Sequence, residues 1–104
     1  MSGWNDKAQR LLAGESFISR EPGNSMAPRI LSRQPVLLEP VFWNQVSKND
    51  VVYCKVHGNF YTHLVLATNP ERGCLIGNLK GRPNGWTKKV FGRVKQVFPM
   101  NLNE

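Results

Sequence analysis

The stretch VVYCKVHGNFYTHLVLAT, residues 51–68, decides the fold class. It is rich in β-branched and aromatic residues, and Gly58-Asn59 in its middle is a two-residue hairpin signal. After that turn, even-numbered and odd-numbered positions form two distinct sets of side chains. An alternation of period two is typical of a strand whose two faces have different surroundings. We therefore predict two antiparallel strands, 51–58 and 59–68, joined as a hairpin.

Further short segments of branched and apolar residues predict strands at 36–41, 74–78 and 90–98. Clusters of Gly, Pro and Asn separate them and predict turns or loops. The predicted fold is mostly β: one compact antiparallel β domain formed by the whole chain, with its β core from about residue 21 to 98.

A short helix is predicted ahead of this core, at residues 4–13, WNDKAQRLLA. Trp4 and the apolar residues that follow it fall near one helical face, and Asn5 or Asp6 is a suitable N-cap. Gly14 is expected to end the helix.

The composition is that of an ordinary globular protein, with 104 residues, 40% hydrophobic and 20% charged. No run approaches the roughly 20 apolar residues of a membrane helix, and the first residues lack a signal-peptide core. We therefore expect a cytoplasmic protein without a membrane anchor. Cys54 and Cys74 are too few for a disulfide framework and lack the spacing of a zinc site, so we expect no metal and no cofactor.

The net charge of +7 is unevenly distributed. Residues 72–103, here called the basic segment, carry seven Lys and Arg and no acid, whereas the rest of the chain sums to zero. Such a segment suits contact with an acidic protein or a nucleic acid, although a merely solvated face is the alternative. Trp86 within it would either stack on a base or anchor its loop. The predicted contact residues are Arg72, Lys80, Arg82, Trp86, Lys88, Lys89, Arg93 and Lys95.

A second stretch, EPGNSMAPRI at residues 21–30, places Ser25 in a turn-rich loop. A serine hydroxyl is a weak nucleophile until a base accepts its proton, and histidine is suited to that task near neutral pH. His63 lies in the predicted strand 59–68. On chemistry alone, the alternative is a capping serine and a half-buried histidine.

The order of these segments, GNSMAPRI, then NDVVYCKV, then THLV, resembles the superfamily of type I signal peptidases and LexA-like self-cleaving repressors. The resemblance runs from about Gly23 to Lys95. It implies that fold, a peptide substrate, Ser25 as the nucleophile and, as in the endoplasmic-reticulum type, His63 as the general base. Lys55 matches a non-catalytic lysine of that type. The small size is similar to that of soluble forms encoded by bacteriophages and mobile elements.

The chain also departs from the pattern of this superfamily. Aspartates that follow the base strand in the histidine type are missing, and Asn78 stands in their place. We expect Asn78 to orient His63, as asparagine does in papain-like sites, and the amides of Gly23 and Ser25 to stabilise an oxyanion. The bond Ala13-Gly14 matches the self-cleavage dipeptide of LexA-like proteins, with a simple helix end as the alternative.

Three functions remain open at this point. The first is a serine endopeptidase that uses Ser25 and His63. The second is an impaired or inactive member of the same fold that acts as a protein-binding module, either an inhibitor or an assembly factor. The third is direct nucleic-acid binding through the basic segment.

Overall fold

The computed structural model describes residues 5–103, which form one seven-stranded antiparallel sheet and a short helix. The elements in chain order are α1 (Asp6–Leu12), β1 (Phe17–Arg20), β2 (Pro35–Pro40), a 3-10 helix (Trp43–Gln45), β3 (Val51–Val56), β4 (Asn59–Asn69), β5 (Gly73–Gly77), β6 (Pro83–Thr87) and β7 (Val90–Val97). The strand order across the sheet is β1-β2-β7-β3-β4-β5-β6. The prediction of a mostly antiparallel β domain with one short helix is confirmed.

Helix α1 begins and ends where its capping residues predict. The side chain of Asn5 accepts a hydrogen bond from the amide of Ala8 at 2.9 Å. Gly14 takes a φ of +89°, and two backbone hydrogen bonds of 3.0 Å close a Schellman-type turn around it. The predicted role of Trp4 lies outside the described residues. The bond Ala13-Gly14 lies inside this closed turn, so the turn would have to unwind before the bond entered an extended cleavage site.

The predicted hairpin consists of β3 and β4, in which Val52 lies opposite His63. Its tight turn is formed by His57-Gly58, at φ +48° and +84°, one residue earlier than predicted. Positive φ at both central residues is the type I′ geometry that matches the twist of the flanking strands.

Two hydrophobic clusters cover the two faces of the sheet. The first packs α1 and the loop after β1 against the strands and contains Ala8, Leu11, Met26, Ile30, Val36, Leu38, Val51, Tyr53, Leu64 and Phe91. The second contains Val46, Val52, Cys54, Val56, Val65, Cys74, Ile76 and Val90. Neighbours Leu64 and Val65 lie in different clusters, so the predicted two-faced alternation of β4 is present.

The sequence-based prediction missed the two edge strands. β1 begins at Phe17, so the β structure starts before the predicted boundary at residue 21. Residues 83–87 were predicted as loop because Pro, Asn and Gly disfavour strands. Pro83 is tolerated because it is the first residue of β6, an edge strand, where its missing N–H removes no hydrogen bond between inner strands.

Candidate active site

Ser25 lies on a closed loop, residues 21–33, here called the serine loop. The amide of Arg33 donates to the carbonyl oxygen of Glu21 at 2.7 Å, and the amide of Gly23 donates to Oγ of Ser32 at 3.0 Å. These two bonds join the ends of the loop. The N–H of Gly23, predicted to bind an oxyanion, is therefore engaged within the loop itself.

Buried side chains and one backbone bond fix the middle of the serine loop. Met26 and Ile30 are buried in the first cluster. The amide of Leu79 donates to the carbonyl oxygen of Ser25 at 3.3 Å. Within residues 5–103, nothing accepts a hydrogen bond from the amide N–H of Ser25. This N–H therefore remains as the candidate oxyanion donor.

Ser25 and His63, thirty-eight positions apart in the chain, are in direct contact. The Oγ atom of Ser25 lies 2.8 Å from Nε2 of His63, and Ser25 is exposed to solvent. This distance lies within the hydrogen-bond reach that a nucleophile and its base require.

The imidazole of His63 is held on its other side as well. Its Nδ1 lies 2.7 Å from Oδ1 of Asn84, and its ring stacks on Tyr61 with centroids 4.8 Å apart. An amide oxygen only accepts hydrogen bonds, so Nδ1 carries the hydrogen in this arrangement. In the neutral imidazole the lone pair of Nε2 then faces Ser25, and this is the tautomer that can accept a proton from the serine hydroxyl.

The residue beside His63 is thus Asn84 and not Asn78, the residue we predicted. Oδ1 of Asn78 accepts from the amides of Lys80 and Arg82, at 3.0 Å each, and so shapes its own loop. The region in which the contact was predicted, IGNLKGRPNG, does contain the asparagine that contacts His63, but this asparagine is Asn84 and not Asn78.

A β-bulge explains how Asn84 reaches His63. Along the β5–β6 pair, Ile76 lies opposite Gly85 but Gly77 lies opposite Pro83, so Asn84 is an extra residue without a partner. Bulges redirect side chains and are frequent beside active sites. In the sequence, the only trace of this feature is the Pro-Asn-Gly run, which equally predicts a turn.

Glu21 links the base of the serine loop to the strand that carries His63. Its carboxylate accepts hydrogen bonds from Ser19 Oγ at 2.8 Å and Thr62 Oγ1 at 2.6 Å, and it pairs with Lys7. Burial alone would raise the pKa of Glu21, but the hydrogen bonds from Lys7, Thr62 and Ser19 outweigh it and lower the pKa below its ordinary value. Glu21 is therefore held as a charged carboxylate.

A small depression beside Ser25 has a volume of about 30 Å³, and Glu21, Met26 and Thr62 are among its lining residues. Two larger depressions of about 250 Å³ lie elsewhere, one beside Trp43 and one beside Phe42. The space next to Ser25 therefore suits a small group.

Several cations of the basic segment are engaged locally. Arg93 pairs with Glu39 at 3.0 Å and with Asp50 at 3.6 Å. The guanidinium of Arg72 lies 4.5 Å from the ring centroid of Trp86. Trp86 is half-buried under this cation, which fits the anchoring interpretation better than an open stacking platform.

The remaining cations of the segment differ in their surroundings. Lys88 lies over the ring of Trp43, with Nζ 4.9 Å from the centroid. Lys80, Arg82, Lys89 and Lys95 are exposed, and none forms an ion pair within the described chain. Nucleic-acid binding through the segment stays a prediction.

The remaining reactive groups considered in the sequence are Lys55 and the two cysteines. Nζ of Lys55 lies over the ring of Phe60, 5.2 Å from its centroid. Cys54 and Cys74 are buried free thiols. Between residues 5 and 103, no three His, Cys, Asp or Glu side chains come together as a metal site, and no helix is long and apolar enough to cross a membrane.

No protein-family model matches this chain, and no curated protein is found to be similar to it.

Proposed function

We propose that this protein is a serine endopeptidase in which Ser25 is the nucleophile and His63 the general base. The observation that carries the proposal is the chain of contacts from Ser25 through His63 to Asn84, at 2.8 Å and 2.7 Å. Each member has the chemical type that its position requires: a hydroxyl, an imidazole with its lone pair toward that hydroxyl, and an acceptor behind the ring.

The first half of the reaction makes an acyl-enzyme. Oγ of Ser25 forms a bond to the scissile carbonyl carbon while its proton passes to Nε2 of His63. The carbonyl electron pair moves onto oxygen, where the amide N–H of Ser25 is the available donor. When this oxyanion collapses, the carbon–nitrogen bond breaks and the leaving amine takes the proton from Nε2.

The second half reverses the roles with water. His63 accepts a proton from water as the hydroxide oxygen bonds to the acyl carbon, and it then returns this proton to Oγ of Ser25 as the acid product leaves. Asn84 accepts the Nδ1–H bond throughout and keeps the ring in place. As a neutral group it stabilises the imidazolium less than a carboxylate would.

The substrate in this proposal is an extended peptide with a small residue at the cleaved bond. The depression of about 30 Å³ beside Ser25 holds little more than a methyl group or one water. An extended peptide can add a strand at a sheet edge and gain backbone hydrogen bonds. The superfamily of type I signal peptidases and LexA-like proteins is the proposed relationship.

The test is cleavage of a diverse peptide library, with products identified by mass spectrometry. The wild type should produce cuts that Ser25→Ala and His63→Ala both lack, whereas Ser47→Ala, a change at an exposed serine outside the site, should keep them. Identical products from wild type and Ser25→Ala would contradict the proposal.

A second candidate is a protein-binding module on the same fold. This candidate is favoured by the neutral amide of Asn84 behind His63, because serine hydrolases with a Ser-His-Asp triad have a carboxylate at that position. A partner captured equally well by wild type and Ser25→Ala, together with a wild type that cleaves nothing, would support this candidate. A biological effect abolished by Ser25→Ala alone would exclude it.

A further inference from the structure

The segment between Leu79 and Asn84 is tied to the reactive pair at both of its ends. The amide of Leu79 donates to the carbonyl oxygen of Ser25 at 3.3 Å, and Oδ1 of Asn84 lies 2.7 Å from Nδ1 of His63. Between these two contacts lie residues 80–83, Lys-Gly-Arg-Pro. The short segment between the contact with Ser25 and the contact with His63 therefore carries two cationic side chains.

This segment is an ordered loop. Oδ1 of Asn78 accepts from the amides of Lys80 and Arg82 at 3.0 Å each, the amide of Asn78 donates to the carbonyl oxygen of Arg82 at 3.1 Å, and Gly81 donates to the carbonyl oxygen of Asn78 at 3.0 Å. These backbone bonds fix the loop, while the side chains of Lys80 and Arg82 remain exposed.

The local charge is positive. In the described part of the chain, no carboxylate pairs with Lys80 or Arg82. Glu21 lines the depression beside Ser25, but Lys7 pairs with its carboxylate. The two loop cations are therefore uncompensated next to the place where a substrate would lie.

We propose that the peptides recognised at this site carry acidic residues close to the scissile bond, with Lys80 and Arg82 as the residues that select them. The expected preference in cleavage rests on the proposed peptidase function, whereas the expected preference in peptide binding does not depend on it. It gives the basic segment a local role at the site, distinct from a general positive surface.

The expected effect is moderate because both cations are exposed. An exposed ion pair changes an affinity by about 1.4- to 5-fold, so two pairs predict roughly a 2- to 25-fold preference for acidic over neutral peptides. Salt should weaken the preference, because the Debye length falls from about 10 Å at 0.1 M to about 3 Å at 1 M.

The experiment uses the full chain with Ser25→Ala, so that peptides bind without being cut. Labelled peptides of equal length, with Asp, Asn or Lys around a central Ala-Ala, are titrated at low and high salt. The matched variants add either Lys80→Gln with Arg82→Gln, or Lys89→Gln with Lys95→Gln. Both pairs remove the same charge, but only the first lies on the loop between the two contacts.

The inference predicts that the Asp peptide binds most tightly at low salt and that only the Lys80→Gln, Arg82→Gln variant loses this preference. Equal binding of the three peptides would overturn it, as would equal losses in the two variants. Labelling of the wild type by a neutral fluorophosphonate tests the peptidase separately. If the protein is labelled but binds the three peptides equally, only the inference about acidic peptides is rejected. If it is not labelled but prefers the Asp peptide, only the proposed peptidase function is rejected.

Discussion

Replacement of Asn84 tests the least expected part of the site. Asn84→Ala removes the acceptor 2.7 Å from Nδ1 of His63 and leaves the ring free to turn or to change tautomer. A neutral hydrogen bond contributes about 0.5–1.5 kcal/mol, which corresponds to about 2- to 12-fold in rate. Loss of the productive tautomer adds to this, up to the roughly 10⁴-fold seen when a hydrolase triad is left with the wrong tautomer.

The converse change, Asn84→Asp, should increase the rate. Hydrogen bonds to charged groups contribute about 1.5–3 kcal/mol, so a carboxylate that faces the imidazolium should stabilise it by about 1–1.5 kcal/mol more than the amide does. This difference predicts roughly a 5- to 12-fold faster reaction.

The assay for both variants is the rate constant of fluorophosphonate labelling under identical conditions. Asn44→Ala is the control, because Asn44 is an exposed asparagine away from the pair. The expected order of rates is Asn84→Asp, then wild type and Asn44→Ala together, then Asn84→Ala. Equal labelling of Asn84→Ala and Asn44→Ala would refute the role assigned to Asn84.

Three further predictions concern stability and the bulge. Glu21→Gln should lower the free energy of unfolding by about 1–3 kcal/mol at pH 7, because three donors lose a charged acceptor. Because folding depresses the pKa of Glu21, its contribution to the free energy of unfolding is present above the ordinary pKa of 4.5 and is lost as the pH falls through the folded-state pKa. In urea unfolding, the free energies of unfolding of wild type and Glu21→Gln should therefore converge below pH 4.5. Leu38→Ala, at a fully buried site, should cost about 2–5 kcal/mol in the same assay, and a cost below 1 kcal/mol would contradict the packing. Gly77→Ala should displace the bulge, because its Cβ would come within 2.7 Å of the carbonyl oxygen of Arg82, and it should slow labelling; unchanged labelling would show that Asn84 does not depend on the bulge.

Much of the sheet could be predicted because its central strands carry a strong local signal. In β4, the alternation that separates Leu64 from Val65 reflects burial on two different faces, and this pattern is visible in the sequence. The edge strands have no such pattern. β6 begins with Pro-Asn-Gly, and its strand conformation comes from pairing with β5, a tertiary contact that local propensity does not encode.

The candidate site, like the sheet, has residues that could be predicted from the sequence and others that could not. The contact between Ser25 and His63 could be predicted, because few residue types can serve as a nucleophile and a base and these two stand in a recognisable order. Asn84 could not, because its position depends on one unpaired residue in a bulge. Gly23 was predicted as an oxyanion donor because it lies near Ser25 and because glycine allows close approach and unusual backbone angles. Neither reason could show that its N–H donates to Oγ of Ser32.

The most direct test of the central claim is the position of the adduct formed with a fluorophosphonate, mapped by mass spectrometry of the digested protein. The Ser25–His63 contact of 2.8 Å predicts one stoichiometric adduct, on Ser25, that is absent from Ser25→Ala and strongly slowed in His63→Ala. A wild type that remains unlabelled, or that is labelled equally well in His63→Ala, would contradict the account.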